Sequence, residues 1–240
     1  ARGGHPLRGV MHVAGVVEDS TLLQLDWPRF ERVLAPKQRG SWNLHQQTQG
    51  LPLDFFVLFS SSASLLGAAG QGNYAAANAF MDALAHHRRA LGLAAVSINW
   101  GPWSGGGMAA SLGVPESRRW FDWIEPEQGL ELLGQVLESG AAQVAVLPIE
   151  WTKYVQRFGD QGAAKLLETL VDEVRAQQPR AAVVSLQQRL KGLSRARQQE
   201  ALLEHVHQQI TQVLGWDPTK PIPGGLRLFE SGLDSLMAVE

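Results

Sequence analysis

The stretch FFVLFSSSASLLGAAGQGNYAAAN, residues Phe55–Asn78, contains the pattern on which the fold prediction rests. It begins with the uninterrupted apolar run FFVLF, which is typical of a strand covered on both faces in a parallel sheet. A serine-rich strand end and a glycine loop follow, and a helix then opens with Tyr74. Tyr74 and Asn78 are four positions apart and therefore share a face of that helix. Because open α/β sheets bind ligands at the carboxyl ends of their strands, we expect Ser61 and Tyr74 to meet there.

Short apolar runs alternate with helical patterns on both sides of this stretch. Pro36 interrupts the first helical pattern, which predicts two helices or one helix with a kink at Lys37. Asp26 is a predicted N-cap and Gly92 a predicted C′ residue. The alternation predicts an α/β fold with a doubly wound parallel sheet, whose strands all end at one edge. The predicted strands are residues 7–15, 51–61, 93–103 and 141–151, and the predicted helices are residues 27–49, 74–91 and 126–139.

The character of the chain changes after Trp151. Residues 154–197 are rich in Gln, Arg, Lys and Glu, and we predict a linker with local helices there. A second small unit, residues 198–240, starts with an amphipathic helical pattern and ends inside another predicted helix. The first unit, residues 1–153, opens almost directly on a strand. We therefore expect this chain to be a piece of a longer polypeptide.

Composition excludes several classes of function. A formal net charge of −2 gives no attraction to nucleic acid or to an anionic membrane. The absence of cysteine excludes disulfides and cysteine-based metal sites, and it fits a cytoplasmic location. No signal-peptide pattern is present, and no apolar run reaches the ~18 residues of a membrane helix. The pair His86-His87 lies near a predicted helix end, where the helix dipole favours a surface role, so no metal site is predicted.

A longer pattern built on the same stretch carries a family resemblance. Residues 60–80, SSSASLLGAAGQGNYAAANAF, with HVAGV upstream and SINWGPW downstream, resemble the ketoreductase domain of modular (type I) polyketide synthases. That domain belongs to the short-chain dehydrogenase/reductase superfamily, and the resemblance covers roughly residues 5–151. It implies a Rossmann-like fold and NADPH-dependent reduction of a carrier-bound β-ketoacyl thioester to a β-hydroxyacyl thioester.

The resemblance implies a catalytic set of four residues. Most of the superfamily carries Tyr-x-x-x-Lys, whereas Asn78 stands at the lysine position here, and polyketide ketoreductases take the lysine from the upstream helix, where Lys37 matches. Tyr74 would deliver a proton to the developing alkoxide while Ser61 donates a hydrogen bond to it. The cation of Lys37 would favour the Tyr74 phenolate and contact the nicotinamide ribose. Asn78 would support a proton-relay water.

The same resemblance assigns cofactor contacts, with the glycine-rich phosphate-binding loop expected upstream of Ala1. The cofactor-binding residues it implies are Ala14, Gly15, Lys37, Tyr74, Gly101, Pro102 and Trp103. Residues 104–120 are glycine-rich and then amphipathic, which suits a mobile lid.

Two positions bear on stereochemistry. Val17-Glu18-Asp19 stands where one class of the family carries Leu-Asp-Asp, so the last Asp matches. Leu66 stands where the other class carries Trp, eight residues before the tyrosine. Asp19 and Leu66 together resemble the first class and imply a D-configured 3-hydroxyl product.

A second motif, LFESGLDSLMAVE at residues 228–240, resembles the attachment site of acyl carrier proteins. Ser235 lies in the pattern Gly-x-Asp-Ser-Leu, beside Asp234. The resemblance implies that Ser235 carries a covalent 4′-phosphopantetheine, added by a phosphopantetheinyl transferase. It also implies a multifunctional enzyme of secondary metabolism, whose partners are a carrier-bound β-ketoacyl substrate and other polyketide synthase domains of the same chain.

Two alternatives remain open at this point. One is a non-catalytic ketoreductase-like scaffold beside a working carrier, and the presence of Tyr74, Ser61 and Lys37 argues against it. The other is a free-standing reductase of the same superfamily, which the motif at Ser235 disfavours. Ser60 and Ser62 are predicted to be packing and turn residues rather than catalytic ones.

Overall fold

The computed structural model of this chain describes residues 5–106, 108, 120–158, 165–177, 186 and 190–214. The described residues up to 150 form one compact unit, and those from Trp151 onward belong to a second. Most of the predicted lid lies outside the described residues, and so do Ser235 and its flanking motif.

The first unit is built on a four-stranded sheet in which all strand pairs are parallel. Its strands are β1 (Gly9–His12), β2 (Phe55–Ser61), β3 (Val96–Trp100) and β4 (Gln143–Val146), arranged in the order β1-β2-β3-β4. Because the strands run in one direction, their carboxyl ends lie at one edge, with Ser61 directly beside Trp100. The predicted parallel α/β sheet is confirmed.

Helices cover both faces of this sheet, and the alternation of side chains along β2 shows it. Val57 belongs to a cluster on one face with Leu133 and Val136 of α5 (Pro126–Glu138). Phe56 and Leu58 point to the opposite face. They pack against the apolar side of α4 (Gly72–Ala90), where Met81, Leu84 and Ala85 are buried. The uninterrupted run FFVLF therefore reflects a strand buried on both faces.

The first helical segment is continuous but changes its winding where Pro36 interrupts the pattern. It consists of α1 (Trp27–Leu34), a π-helical turn (Ala35–Arg39) and α2 (Gly40–Thr48). Asp26 caps α1, with its side chain accepting a hydrogen bond of 3.0 Å from the Arg29 backbone. The predicted irregularity at Lys37 is confirmed, since Lys37 is the middle residue of the π-helical turn.

Short turns complete the first unit around the strand ends. The helix α3 (Ala63–Leu66) follows β2 directly. The helix α4 begins at Gly72, two residues before the predicted start at Tyr74, and ends before Gly92. Gly92 has a φ of +74°, as expected for a glycine that terminates a helix.

The second unit is helical in the part that the structure describes. It contains α6 (Trp151–Phe158), a 3₁₀ turn (Lys165–Leu167), α7 (Glu168–Gln177) and α8 (Arg195–Leu214). The rings of Trp151 and Tyr154 pack edge to face with centroids 5.9 Å apart. Across both units, no described helix is both long enough and apolar enough to cross a membrane.

Candidate active site

Lys37 is buried beneath the carboxyl edge of the sheet, although a lysine is ordinarily a surface residue. The π-helical turn directs its side chain inward, and only 1% of the residue is exposed. Its Nζ donates a hydrogen bond of 2.9 Å to the carbonyl oxygen of Phe59 in β2. The ammonium also lies 5.4 Å from the centre of the Tyr74 ring. An ammonium has three hydrogens, so this contact leaves donors available for a ligand.

Burial lowers the pKa of Lys37 from 10.5 to about 8, while the negative charge of Asp82 opposes the decrease. The same cation lowers the pKa of His12, whose main cause of depression is its own burial. His12 in turn contacts the π-helical turn, with Nε2 2.9 Å from the carbonyl oxygen of Pro36. Lys37 is therefore a cation whose charge changes near neutral pH.

Gly15 follows β1 and has no room for a side chain. A Cβ at this position would lie 2.8 Å from Cε and 3.3 Å from Nζ of Lys37. The HVAG segment thus brings backbone without a side chain against the lysine ammonium. Ala14 and Gly15 are at least partly exposed, so a ligand can reach this backbone.

Tyr74 and Asn78 occupy successive turns of α4 on the face that meets β2. Tyr74 is 8% exposed and Asn78 is fully buried. The Asn78 amide donates a hydrogen bond of 2.8 Å to the Tyr74 carbonyl oxygen. Its other side-chain atom, Oδ1, is buried without a hydrogen-bond partner among the described residues. A buried acceptor of this kind requires a partner, and a water or ligand hydroxyl would satisfy it.

Ser61 is the last residue of β2, and its hydroxyl oxygen accepts a hydrogen bond of 3.2 Å from the Ala63 backbone. That contact leaves the Ser61 hydroxyl hydrogen free to donate toward Tyr74. Ser60 faces α4 and donates to the Asn78 carbonyl oxygen at 3.3 Å, which agrees with its predicted packing role. Ser62 occupies the N-cap position of α3.

The pKa of Tyr74 is raised, not lowered. Burial is the main cause, and the charge of Asp19 adds to it, while hydrogen bonding to Asn78 and Ser61 opposes it. The expected preference for a phenolate induced by Lys37 is therefore not found in this structure. A raised pKa keeps the phenol protonated at neutral pH, and the ammonium lies 5.4 Å from the ring centre and donates to Phe59. A protonated phenol is the form that can deliver a proton.

Hydrogen bonds from Gln71 and Asn73 join the loop after β1 to the start of α4, and neither residue was a predicted site residue. The Gln71 amide donates to both carboxylate oxygens of Asp19 at 3.2 and 3.1 Å. The buried Asn73 donates to the Glu18 carbonyl oxygen at 2.9 Å, and its Oδ1 accepts from the Tyr74 backbone at 2.8 Å. The Asp19 segment is thus held beside Tyr74.

The other predicted positions lie around this centre. Leu66 ends α3 and is partly buried. Gly101 is packed tightly, because a Cβ there would lie 2.7 Å from Leu147. Trp103 packs against Gly129 of α5 and edge to face with Trp100, so it contributes to the core as well as to the sheet edge.

Comparisons with known proteins agree with this geometry. The model of the KR domain family matches residues 1–105. The family match thus covers residues 1–105, the part of the chain that contains Lys37, Ser61 and Tyr74. This part of the chain is homologous to the ketoreductases of polyketide synthases, which are oxidoreductases.

Three relatives illustrate the likeness. The chain is 40% identical over 247 residues to polyketide synthase GfsB of Streptomyces halstedii, which covers 99% of this chain and 4% of that protein. It is 42% identical over 248 residues to the spectinabilin polyketide synthase system protein NorB of Streptomyces orinoci, covering 98% and 11% respectively. A solved structure described as A-type ketoreductases from a modular polyketide synthase is 39% identical with a TM-score of 0.67, covering 71% of this chain and 37% of that one. The chain thus spans a small part of the curated relatives that it matches.

Sequence reasoning missed several polar residues of the ketoreductase segment. Asp82 lies four positions after Asn78, just as Asn78 lies four positions after Tyr74. The three residues therefore share one face of the helix, and this spacing could have identified Asp82. Gln71 and Asn73 gave no comparable signal, because their partners lie in a loop more than fifty residues away. Among the described residues, no group of three or more His, Asp or Glu side chains could hold a metal ion.

Proposed function

We propose that this segment catalyses the NADPH-dependent reduction of a carrier-bound β-ketoacyl thioester to a β-hydroxyacyl thioester. The observation that supports the proposal is that the buried Tyr74 ring lies 5.4 Å from the ammonium of the buried Lys37, close to the Ser61 strand end. A ketone that accepts a hydride develops negative charge on oxygen, and these groups can stabilise and protonate that oxygen.

Each residue of the set has a distinct task in this proposal. Tyr74 donates its phenolic proton to the substrate oxygen, and the Ser61 hydroxyl donates a hydrogen bond to the same atom. The Lys37 ammonium stabilises the phenolate that Tyr74 leaves behind. Asn78 holds, through its unpartnered Oδ1, the water or hydroxyl through which Tyr74 regains a proton.

The residues present fit a nicotinamide cofactor. Gly15 offers backbone without a side chain beside Lys37, and the ammonium has donors to spare for ribose hydroxyls. When bound, NADPH supplies the hydride. The cofactor contacts proposed for this chain are Ala14, Gly15, Lys37, Tyr74, Gly101, Pro102 and Trp103.

Oxidation of NADPH in the presence of a β-ketoacyl thioester tests the proposal in the full-length protein. Tyr74→Phe removes only the hydroxyl from a packed ring, so it should abolish turnover without lowering the melting temperature. Unchanged turnover would reject the role of Tyr74. Absence of NADPH oxidation in the unaltered protein would favour a non-catalytic scaffold instead.

We also propose a D-configured 3-hydroxyl product. Asp19, the residue that matches the family motif, is held beside Tyr74 through Gln71, while Leu66 occupies the position that carries Trp in the other class. Chiral chromatography of the reduced thioester decides between the two configurations.

A carrier function for residues 198–240 is a separate proposal. Ser235 would bear 4′-phosphopantetheine, and a cytoplasmic phosphopantetheinyl transferase would attach it. Its support is the motif at residues 228–240 together with alignments to polyketide synthases that span 98–99% of this chain. A gain in mass of one phosphopantetheine group after incubation with coenzyme A and the transferase, lost in Ser235→Ala, tests it.

A further inference from the structure

A buried carboxylate lies two turns beyond Tyr74 on α4, and the proposed mechanism does not use it. Asp82 is 7% exposed and accepts three hydrogen bonds from other elements. They come from Ser64 of α3 at 2.7 Å, and from Ser97 and Asn99 of β3 at 2.6 and 2.9 Å. None of these donors is charged. The carboxylate of Asp82 is therefore stabilised by neutral hydrogen-bond donors rather than by a neighbouring cation.

The hydrogen bonds of Asp82 continue to the catalytic residues through Asn99. The two hydrogens of the Asn99 amide face several acceptors, with Ser64 at 2.8 Å, Asp82 at 2.9 Å, Ser60 at 3.1 Å and the Ser61 carbonyl oxygen at 3.4 Å. The charged acceptor forms the stronger bond and so sets the orientation of the amide. Ser60 then donates to the Asn78 carbonyl oxygen at 3.3 Å.

The same carboxylate acts on Lys37 electrostatically. Its charge raises the pKa of Lys37 against the larger effect of burial. The other ionisable groups that face the ammonium are Tyr74 on α4 and His12 on β1, and Asp19 acts on Tyr74 from the loop after β1. Among the described residues, Asp82 supplies the negative charge that raises the pKa of Lys37.

We propose that Asp82 is a positioning residue of the reductase, whose buried carboxylate binds Ser64, Ser97 and Asn99 and so holds the strand end of Ser61 against α4, and whose charge acts on Lys37. It does not touch the substrate, and its effect passes through Asn99, Ser60 and Lys37. The part of the inference that concerns turnover rests on the proposed function, whereas the coupling of Asp82 to Lys37 does not.

The coupling is tested by the titration of Lys37 in the 240-residue chain. The chain contains five lysines, so their side-chain ammonium or Cε signals are resolvable by NMR after isotope labelling. Asp82→Asn preserves size and removes the charge, and we expect Lys37 to titrate at lower pH than in the unaltered chain. Ser97→Ala is the matched control, because it removes one hydrogen bond to the same carboxylate and retains the charge.

Identical titration of Lys37 in the unaltered chain and in Asp82→Asn would overturn the inference. An equal shift in Ser97→Ala would also overturn it, because packing rather than charge would then be the cause. If Asp82→Asn does not fold, as judged by circular dichroism, Asp82→Ser removes the charge with a smaller side chain and takes its place.

Turnover gives the second measurement in the full-length protein. Loss of NADPH oxidation at high pH should begin at lower pH in Asp82→Asn, by the same shift that NMR reports, with the KM for the thioester little changed. Ser97→Ala should retain the original pH profile. If the unaltered protein oxidises no NADPH, the proposed function fails, and the NMR titration still decides whether Asp82 controls Lys37.

Discussion

Two cations are buried equally deeply in the first unit, yet the protein surrounds them differently. Lys37 and Arg88 are each 1% exposed, and neither has a carboxylate within hydrogen-bonding distance among the described residues. Lys37 makes one hydrogen bond, to the carbonyl oxygen of Phe59. Arg88 instead reaches Ala94, His45 and Thr48 at 3.1–3.3 Å, and its guanidinium lies 3.8 Å from the centre of the Phe56 ring.

The difference separates a titratable cation from a permanent one. Burial lowers the pKa of both side chains. An arginine retains its charge regardless, so it must be solvated by several groups, and Arg88 is. A lysine can lose its proton, and Lys37 has donors left over beside an open backbone at Gly15. Arg88 therefore cross-links the fold, whereas Lys37 keeps hydrogen-bond donors available for a ligand.

Replacement of Lys37 gives the largest expected effect. Lys37→Met keeps the length and packing of the side chain but removes the cation that, in the proposed mechanism, stabilises the phenolate left once Tyr74 has given up its proton. We expect NADPH oxidation to fall by at least about 100-fold, in the range of a lost acid–base group. Initial rates with a β-ketoacyl thioester measure this, and a rate within threefold of the unaltered protein would contradict the role of Lys37.

Stability should change in the opposite direction in the same variant. A charged lysine whose pKa is about 8 instead of 10.5 destabilises the folded state by about 3 kcal/mol below pH 8. Between those values the unfolded chain binds more protons than the folded one, so stability rises with pH. Lys37→Met should lack this rise and be more stable at pH 7. Urea unfolding at pH 7, 8 and 9.5 measures the slope, and an equal slope in both proteins would contradict the lowered pKa.

Arg88→Met should have the opposite effects to Lys37→Met, with lower stability and unchanged turnover. It leaves the Ala94 carbonyl, His45 and Thr48 without their shared donor, at an expected cost of about 2 kcal/mol in unfolding free energy. Folded molecules should retain their turnover, and the rise in stability between pH 8 and 9.5 should persist because Lys37 is unchanged. A loss of turnover in fully folded Arg88→Met would break the distinction between the two cations.

The contrast also shows which features the sequence predicts. The position of Lys37 was predictable, because Pro36 disrupts the helix and the surrounding segment resembles a known family. Its burial against Phe59 was not, since that contact depends on how a helix docks against a strand twenty-two residues away. The partners of Asp82 could not be predicted for the same reason. Ser97 and Asn99 reach Asp82 only in the assembled sheet, where β3 pairs with β2. Local patterns predict elements and motifs, but polar networks form between elements.

Gly15→Ala offers the mildest test of how tightly Lys37 is held. The new Cβ would lie 2.8 Å from Cε, so the lysine must shift while the fold persists. We expect a reduction in turnover that is smaller than in Lys37→Met, together with weaker NADPH binding measured by fluorescence titration. Gly134→Ala in α5 is the matched control, because no atom lies within 4 Å of its added Cβ and the helix gains up to about 1 kcal/mol. Equal turnover in both glycine variants would show that Lys37 adjusts freely, and the ammonium would then not be held in a defined position.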